Sequence, residues 1–541
     1  MADDVSFPGS TPLTAPAPLS RLALSFSGGG YRAAAFHLGT LRLLNDVGLL
    51  PNVVGLSTVS GGTLTGMAWV MSLIDKKPFR EFHADFSGFL RQTNVIGEAL
   101  TDMTSGREPL RREWVSLIRS ASNVYNRPAL FNDRRFGEVL DAQGLGLEEV
   151  IFNSTEFHTG LDFRFRRSSK QGGRLGNPNY VLPRPVAEHI RLADIVAASS
   201  CFPSGFEPLV FPQHFHWSQD YPLETALGAL GEQYARGLPL MDGGIYDNQG
   251  ISSLQPVFEG TSTTLLISDV SARKDELYNV PPNPTRRGWL TLAGVERLGQ
   301  VLFFLALLSA VVLGVHAWNA PPAPFPWGLV DGAAYLFSGL LSASVAVALV
   351  WARRRLNDAH TLLEQQVEVQ AWPSFSKLTV PEFVQLVVLR LSSVVALTSS
   401  IFMKRIRGLV FDSVFRDEQY KGLRISNLIY SLSLERPALY ARHPWLEPGP
   451  QLVARAEAAE KMPTTLWFTE PEEQFATLES AGAATVCFVL LRHIVEAHPG
   501  QYETAGLALY DLFQRLKAEW TRFNGASAEP RPEPKPLPLA G

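Results

Sequence analysis

The sequence predicts an α/β protein built on a mostly parallel sheet and interrupted by a membrane hairpin. Three observations predict it: an apolar run that breaks at Gly28, Gly29 and Gly30 into a helical pattern, a second apolar run that breaks at Ser60, and two stretches near mid-chain without Asp, Glu, Lys or Arg. With 541 residues the chain exceeds one ordinary domain of roughly 150. A net charge of −4 gives no footprint for nucleic acid. The two cysteines, Cys201 and Cys487, have neither metal-ligand nor redox spacing, which fits a reducing compartment. Residues 1–20 start acidic and run through prolines, and are expected to form a disordered leader.

The elements follow in order. Residues 21–27, RLALSFS, read as a buried strand, and the helix after the glycines keeps Ala34, Leu38, Leu41 and Val47 on one apolar face, with Leu44 alongside and Gly48 as C-terminal cap. A second strand, from 53, ends at Ser60, completing a βαβ unit with a parallel pair. In such sheets the loops at the carboxyl ends of neighbouring strands lie together, so the glycine run and Ser60 are expected side by side. Thr58, Ser60 and Gly62 occupy the three spaced positions of G-x-S-x-G, with Thr replacing the first glycine. That reads as a nucleophile elbow; the plain alternative is a Gly-rich connection with an incidental serine. Beside a nucleophile, the glycines can offer backbone N–H groups to an oxyanion. A phosphate-binding loop competes, but no G-K-[ST] follows. Arg32 either braces the loop or meets a lipid phosphate.

Three motifs in this order, SGGGYR at 27–32, TVSGG at 58–62 and DGGIYDNQG at 242–250, resemble the patatin-like phospholipases. The resemblance implies a three-layer α/β/α sandwich that hydrolyses acyl esters of lipids. Carried onto this chain, it makes Ser60 the nucleophile, Asp242 the base and Gly28, Gly29 and Gly30 the oxyanion hole, with Arg32, Gly62, Gly243 and Gly244 in support. Ser27 stands where many members have Asp and Ala33 where many have Gly, and GGGYRA is similar to the cytosolic phospholipase branch. The stretches at 150–155 and 161–165 resemble the family's middle strand and hairpin, the small-residue helix at 192–206 its segment before the aspartate, and 237–241 the strand that delivers Asp242. Of the histidines that follow, His316, His360, His443, His493 and His498, none sits in a glycine turn, which suits a dyad in place of a Ser-His-Asp triad. Asp247 and Asn248 read as braces of the turn. No cofactor or metal is called for, and no EF-hand loop occurs. Residues 76–147 are expected to give helices and loops over the site, with Arg107, Arg111, Arg112 and Arg119 as either a lipid-facing patch or a solvated face.

Residues 263–270 read as a further strand, after which the composition changes. The runs 298–318 and 332–351 carry no charged residue and are each long enough to cross a bilayer. Arg286, Arg287 and Arg297 precede the pair, Arg353, Arg354 and Arg355 follow it, and the proline-rich connection has no Lys or Arg, so both termini and the catalytic part are expected in the cytoplasm. Stripes of small residues, Ala306, Ala310 and Gly314, then Ser338, Ser342 and Ala346, could seal the hairpin or join protomers in a homo-oligomer. Residues 356–369 read as a helix leaving the membrane. The apolar stretch 384–403 contains Arg390 and is expected to be a soluble helix of the hydrolase. The expected organisation is a leader at 1–20, a catalytic core at 21–285, a hairpin insertion at 286–355, C-terminal helices at 356–525 packing on the core and a Pro-rich disordered tail at 526–541.

These readings lead to a membrane-anchored hydrolase of (lyso)phospholipids, a phospholipase A or lysophospholipase whose partners are its phospholipid substrate and the bilayer. The look of the relatives places it in a bacterial inner membrane. Two alternatives stay open: an acyl thioesterase or general esterase localised by the hairpin, and a membrane scaffold carrying a hydrolase-like domain.

Overall fold

The structure, a computed structural model, describes residues 17–104, 116–169, 175–203, 205–231, 234–273, 288–319, 327–366 and 377–525. Most of the expected leader and all of the expected Pro-rich tail lie outside them, as do Arg107, Arg111 and Arg112. The chain divides into two compact units, one from Met1–Glu276 with Leu397–Gly541, the other Leu277–Ala396.

The first unit is organised on an eight-stranded sheet. β1 (Leu22–Phe26) is fully buried and leads through the glycine run into α1 (Gly30–Asp46), which ends at Gly48 with a φ of 75°. β2 (Val53–Val59) is equally buried and runs into α2 (Gly61–Ile74). After the short helix α3 (Leu117–Tyr125) come β3 (Glu149–Glu156) and β4 (Asp162–Ser168), then α4 (Leu192–Ser199), β5 (Leu209–Phe211), β6 (Leu238–Asp242) and β7 (Thr264–Asp269). The order is β5-β6-β3-β2-β1-β7, extended at the β7 edge by β8 (Arg424–Leu428), with β4 also on β3. β1 pairs parallel with β2 and β7, and so do β2 with β3 and β7 with β8; the pairs of β3 with β4 and β6, and of β5 with β6, are antiparallel. Strands buried along their whole length need cover on both faces, so their sequences are continuous apolar runs and do not alternate. β5 and β8 were not expected from the sequence: β5 has three residues, and β8 alternates buried and half-buried positions at the sheet edge.

The second unit contains α5 (Leu292–Asn319), α6 (Trp327–Gln366) and α7 (Val380–Ala396). Within α5, the most apolar 18 residues of Leu292–His316 have a mean hydropathy of 2.4 and none of them is buried. The other expected span falls in α6, whose apolar part is Gly332–Val345. The two helices run antiparallel, with the Ser309 and Ser342 hydroxyls 3.5 Å apart and the His316 and Tyr335 ring centroids 5.4 Å apart. The stretch 384–403 is not one hydrolase helix. It is split between α7, which buries no residue and belongs to the second unit, a π turn at Leu397–Ile401, and the start of α8 (Phe402–Phe415) in the first.

After α8 and β8, the first unit is completed by α9 (Pro450–Lys461), α10 (Pro471–Ala497) and α11 (Tyr510–Phe523). α10 is also long and apolar enough to span a bilayer, its most apolar 18 residues having a mean hydropathy of 1.5, but 89% of them are buried, so it is a core helix. It lies backbone to backbone on α1. A Cβ on Gly39 would stand 1.9 Å from the Glu479 carbonyl oxygen, and one on Gly482 would stand 2.0 Å from that of Phe36. Only glycine allows this approach. Around the crossing, Glu479 accepts from Arg42 and His83, which holds its carboxyl below the usual range against the opposing effect of burial.

Candidate active site

β2 ends in a strained turn. Ser60 has φ 52° and ψ −120°, a conformation that L residues adopt rarely and at a cost of about 1–3 kcal/mol. The surroundings hold it there. The Ser60 N–H donates to Ser199 Oγ at 2.9 Å, and the Ser199 hydroxyl donates to the Asn153 carbonyl at 2.6 Å and meets Thr63 Oγ1 at 2.8 Å. Asn153 Nδ2 in turn donates to Ser57 Oγ and to the Thr58 carbonyl, both at 2.9 Å. Thr58, which replaces the first glycine of the elbow pattern, keeps its hydroxyl 3.0 Å from that of Thr63. Gly61 and Gly62 are obligatory for a different reason. A Cβ on Gly61 would lie 2.0 Å from the Gly30 carbonyl oxygen, and one on Gly62 2.6 Å from that of Phe26.

These contacts put the glycine run beside Ser60. A Cβ on Gly28 would lie 3.1 Å from the Ser60 Cβ. Gly29 and Gly30 have φ of 141° and 56°, so the loop turns on backbone that favours glycine. The Gly28 N–H donates to the Asn248 carbonyl at 3.0 Å. This corrects the expectation that all three glycines present free donors. The N–H groups of Gly29, Gly30 and Gly61 have no protein acceptor among the described residues. The C-terminal part fastens the loop from outside: the Tyr31 N–H donates to the Thr465 carbonyl at 2.8 Å, and Arg32 Nη1 donates to the carbonyls of Met462 at 2.8 Å and Glu460 at 3.3 Å. Arg32 is therefore a brace. Beneath the loop, buried His37 stacks on Phe26 and bridges the Ser27 carbonyl and the Ser268 hydroxyl, each at 3.0 Å. Burial pushes its pKa down to about 4, so the ring is neutral at pH 7.

Asp242 arrives at the end of β6 with its backbone pinned on both sides. Its N–H donates to the Cys201 carbonyl and its carbonyl accepts from the Thr155 hydroxyl, both at 2.9 Å. The carboxylate accepts from the Gly244 N–H at 2.7 Å, and the Ser60 hydroxyl lies near enough to favour its charged form. Burial outweighs both groups and raises its pKa to about 6. Gly243 and Gly244 serve the turn by close approach, since a Cβ on the first would meet the Asn153 carbonyl oxygen at 2.6 Å and one on the second Asn248 Oδ1 at the same distance. Asp247 braces the turn as expected, accepting from the N–H groups of Gln249 and Ser252.

The family model for patatin-like phospholipases matches residues 24–254, which contain Ser60, Asp242 and both glycine turns. Residues 24–254 are a patatin-like phospholipase domain. Six chains among solved structures match this protein. One of them, human GIVD cytosolic phospholipase A2, is 14% identical, with 49% of this chain and 50% of that chain covered and a TM-score of 0.29. The match thus spans about half the length of that relative. No curated protein matches the chain.

Within the patatin domain, sequence reasoning missed several groups that shape the site. Ser199 was visible only as one member of a run of small residues. Burial, then the Asp242 carboxylate, pushes the pKa of the Tyr125 phenol well up. Tyr125 therefore keeps its proton. Nothing in its sequence neighbourhood signals this, because α3 is brought to Asp242 only by the tertiary fold. Asn248 holds Gly28 through its backbone carbonyl, which no side-chain pattern could show. Arg119, the one described member of the arginine group, is half-buried and not part of a solvated face. Among the described residues no cluster of His, Cys, Asp or Glu could hold a metal ion.

Proposed function

We propose that this patatin-domain protein is a membrane-anchored serine acyl hydrolase of (lyso)phospholipids, with Ser60 as nucleophile and Asp242 as its base. The observation that carries the reading is the placement of Ser60, at the strained turn, beside a buried carboxylate whose pKa is about 6. A base poised near neutrality can both take and return a proton.

In this mechanism Ser60 Oγ attacks the ester carbonyl carbon while Asp242 takes the hydroxyl proton. The oxyanion that forms meets N–H groups drawn from Gly29, Gly30 and Gly61, whose backbone is already in place and does not reorganise during reaction. Collapse breaks the ester bond, and Asp242 returns the proton to the departing alcohol oxygen. Water, deprotonated by Asp242, then attacks the acyl-Ser60 carbonyl, releasing the fatty acid and restoring the serine.

The anchoring half of the reading is supported by the unburied apolar helix Leu292–His316 and its antiparallel partner. Arg297 lies before the first expected span and Arg353, Arg354 and Arg355 after the second, which supports a cytoplasmic catalytic unit. Fatty acid release from bilayer phospholipid by detergent-purified protein tests the proposal, run beside Ser60→Ala and Asp242→Asn. Loss in both variants is the expected result. Unchanged release from Ser60→Ala overturns it, and faster turnover of soluble acyl thioesters than of lipid by the parent redirects it to a thioesterase.

A further inference from the structure

α8 has two faces of opposite character. Its inner face is fixed to the catalytic turn and the sheet. Arg407 Nε donates to the buried Asp269 carboxylate at 2.7 Å, Val414 is fully buried, and the Met403 methyl lies 3.1 Å from where a Cβ on Gly244 would stand. Asp269 also accepts from Gln249 Nε2 at 2.7 Å, so the helix is tied to the loop that carries Asp242. The outer face shows Phe402 and Leu409, preceded by Ile401 in the π turn, each just over half-exposed at 51–53%. Lys404 and Arg405 are exposed between them.

We propose that this outer face is an interfacial surface that rests in the headgroup layer of a phospholipid leaflet and presents lipid to the Ser60 and Asp242 site; the proposal rests on the acyl hydrolase reading above. Apolar side chains interleaved with basic ones on one helix face suit an anionic lipid surface, where the rings and branched chains enter the acyl boundary and the Arg405 guanidinium meets phosphates. A water-facing helix gains nothing from exposing Ile401, Phe402 and Leu409 together. The occupant is further narrowed by the chain itself, which carries an apolar helix with no buried residue and so already works at a bilayer on that reading. The position completes the case. Met403, on the inner face of the same helix, reaches Gly244, so a leaflet held against the outer face is one helix diameter, roughly 10 Å, from the glycine turn of the base. The rigid inner face means that lipid is brought to a preformed site and no helix needs to move.

Two measurements on the full-length protein in vesicles test this. Phe402→Cys, labelled with an environment-sensitive fluorophore, is read in vesicles of phosphatidylcholine with and without phosphatidylglycerol. Cys201 and Cys487 are buried and do not compete for the label. Quenching by a lipid-borne nitroxide near the headgroup, stronger when phosphatidylglycerol is present, is the expected result. A label that stays in water overturns the proposal whether or not the protein hydrolyses lipid, which separates its failure from failure of the hydrolase reading. In the second measurement, Ile401→Ser, Phe402→Ser and Leu409→Ser are combined. Vesicle hydrolysis is expected to fall about tenfold while a monomeric short-chain ester is turned over at the parent rate. Equal loss on both substrates, or a face that proves to be buried in a dimer of this chain without quenching, also overturns it.

Discussion

The carbonyl oxygen of Thr465 lies 2.4 Å from the position a Cβ on Gly30 would occupy. The same oxygen accepts the Tyr31 N–H at 2.8 Å, so a segment more than 400 residues away in the sequence sets the shape of the loop beside Ser60.

Gly30→Ala is therefore expected to damage catalysis more than folding. The methyl group would collide with a backbone atom, and the residue already has a φ of 56°, so the loop must shift and its N–H groups lose their aim. Losing one oxyanion donor typically lowers kcat by about 10²–10³. Steady-state hydrolysis of a short-chain ester should show a fall of about 10², with little change in KM and with the far-UV circular dichroism of the parent.

The pH dependence follows from Asp242. A base with a pKa of about 6 gives a rate that falls about tenfold per unit below pH 6 and is flat above it. Stability moves the other way. The folded carboxyl binds its proton more tightly than the unfolded one, at about 6 against 3.8, so native stability is lost as pH rises between those values. A shift of that size corresponds to roughly 3 kcal/mol at neutral pH. Asp242→Asn keeps an acceptor for the Gly244 N–H and removes the charge. It is expected to be inactive and to melt higher than the parent at pH 8, with the difference gone by pH 4. Equal melting temperatures at both pH values would argue that the carboxylate is not desolvated.

Much of this site was legible because its chemistry demands unusual residues. Ser60 among small neighbours and Asp242 before two glycines mark turns that few other residues could make. The groups that complete the site were not legible, since Ser199, Asn153 and Tyr125 reach it by tertiary packing from three other elements. The fold divides in the same way. β1, β2 and β7 announce themselves as continuous apolar runs, whereas the short β5 and the half-buried β8 carry too little pattern. Composition alone cannot separate α10 from a membrane span, because a helix surrounded by protein and one surrounded by lipid are both apolar all round.

The crossing of α1 and α10 gives the sharpest stability prediction. Gly482→Ala would set a methyl group 2.0 Å from the Phe36 carbonyl oxygen, and two long helices would have to move apart to admit it. Overpacking of this kind costs about 1–3 kcal/mol, and backbone on the opposing side leaves little room to relax. Chemical denaturation should show a loss at the upper end of that range. Gly88→Ala, where a Cβ meets nothing within 4 Å, should be neutral or mildly stabilising.

Arg407→Ala should be severe in a pH-dependent manner. Asp269 is buried, and the Arg407 guanidinium with the hydrogen bonds from Ser271 holds its carboxyl below the usual range against the effect of burial. Removing the cation leaves a buried carboxylate without its counter-charge, typically a loss of about 3–5 kcal/mol. A carboxyl with a depressed pKa contributes stability that is present above its unfolded value of 3.8 and is lost as pH falls through the folded one. The variant lacks that contribution, so its deficit relative to the parent should be large at pH 7 and shrink in acid. A deficit independent of pH would mean that packing of the Arg407 stem, and not its charge, holds α8 in place.

The hairpin can be tested without assuming a membrane. Ser309 and Ser342 face each other across α5 and α6 with 3.5 Å between hydroxyls, whereas the native thiols Cys201 and Cys487 are buried in the other unit. Ser309→Cys combined with Ser342→Cys should form an intramolecular disulfide under mild oxidation, read as a mobility shift reversed by reductant. The double variant also tests the two uses of the small-residue stripes, since Ser342 faces Ser309 of its own chain. Cross-linked dimers from the double variant, in place of the internal bond, would mean that this stripe joins protomers. An internal disulfide that forms equally well in detergent and in bilayers would make the hairpin a unit that packs before it meets a second copy.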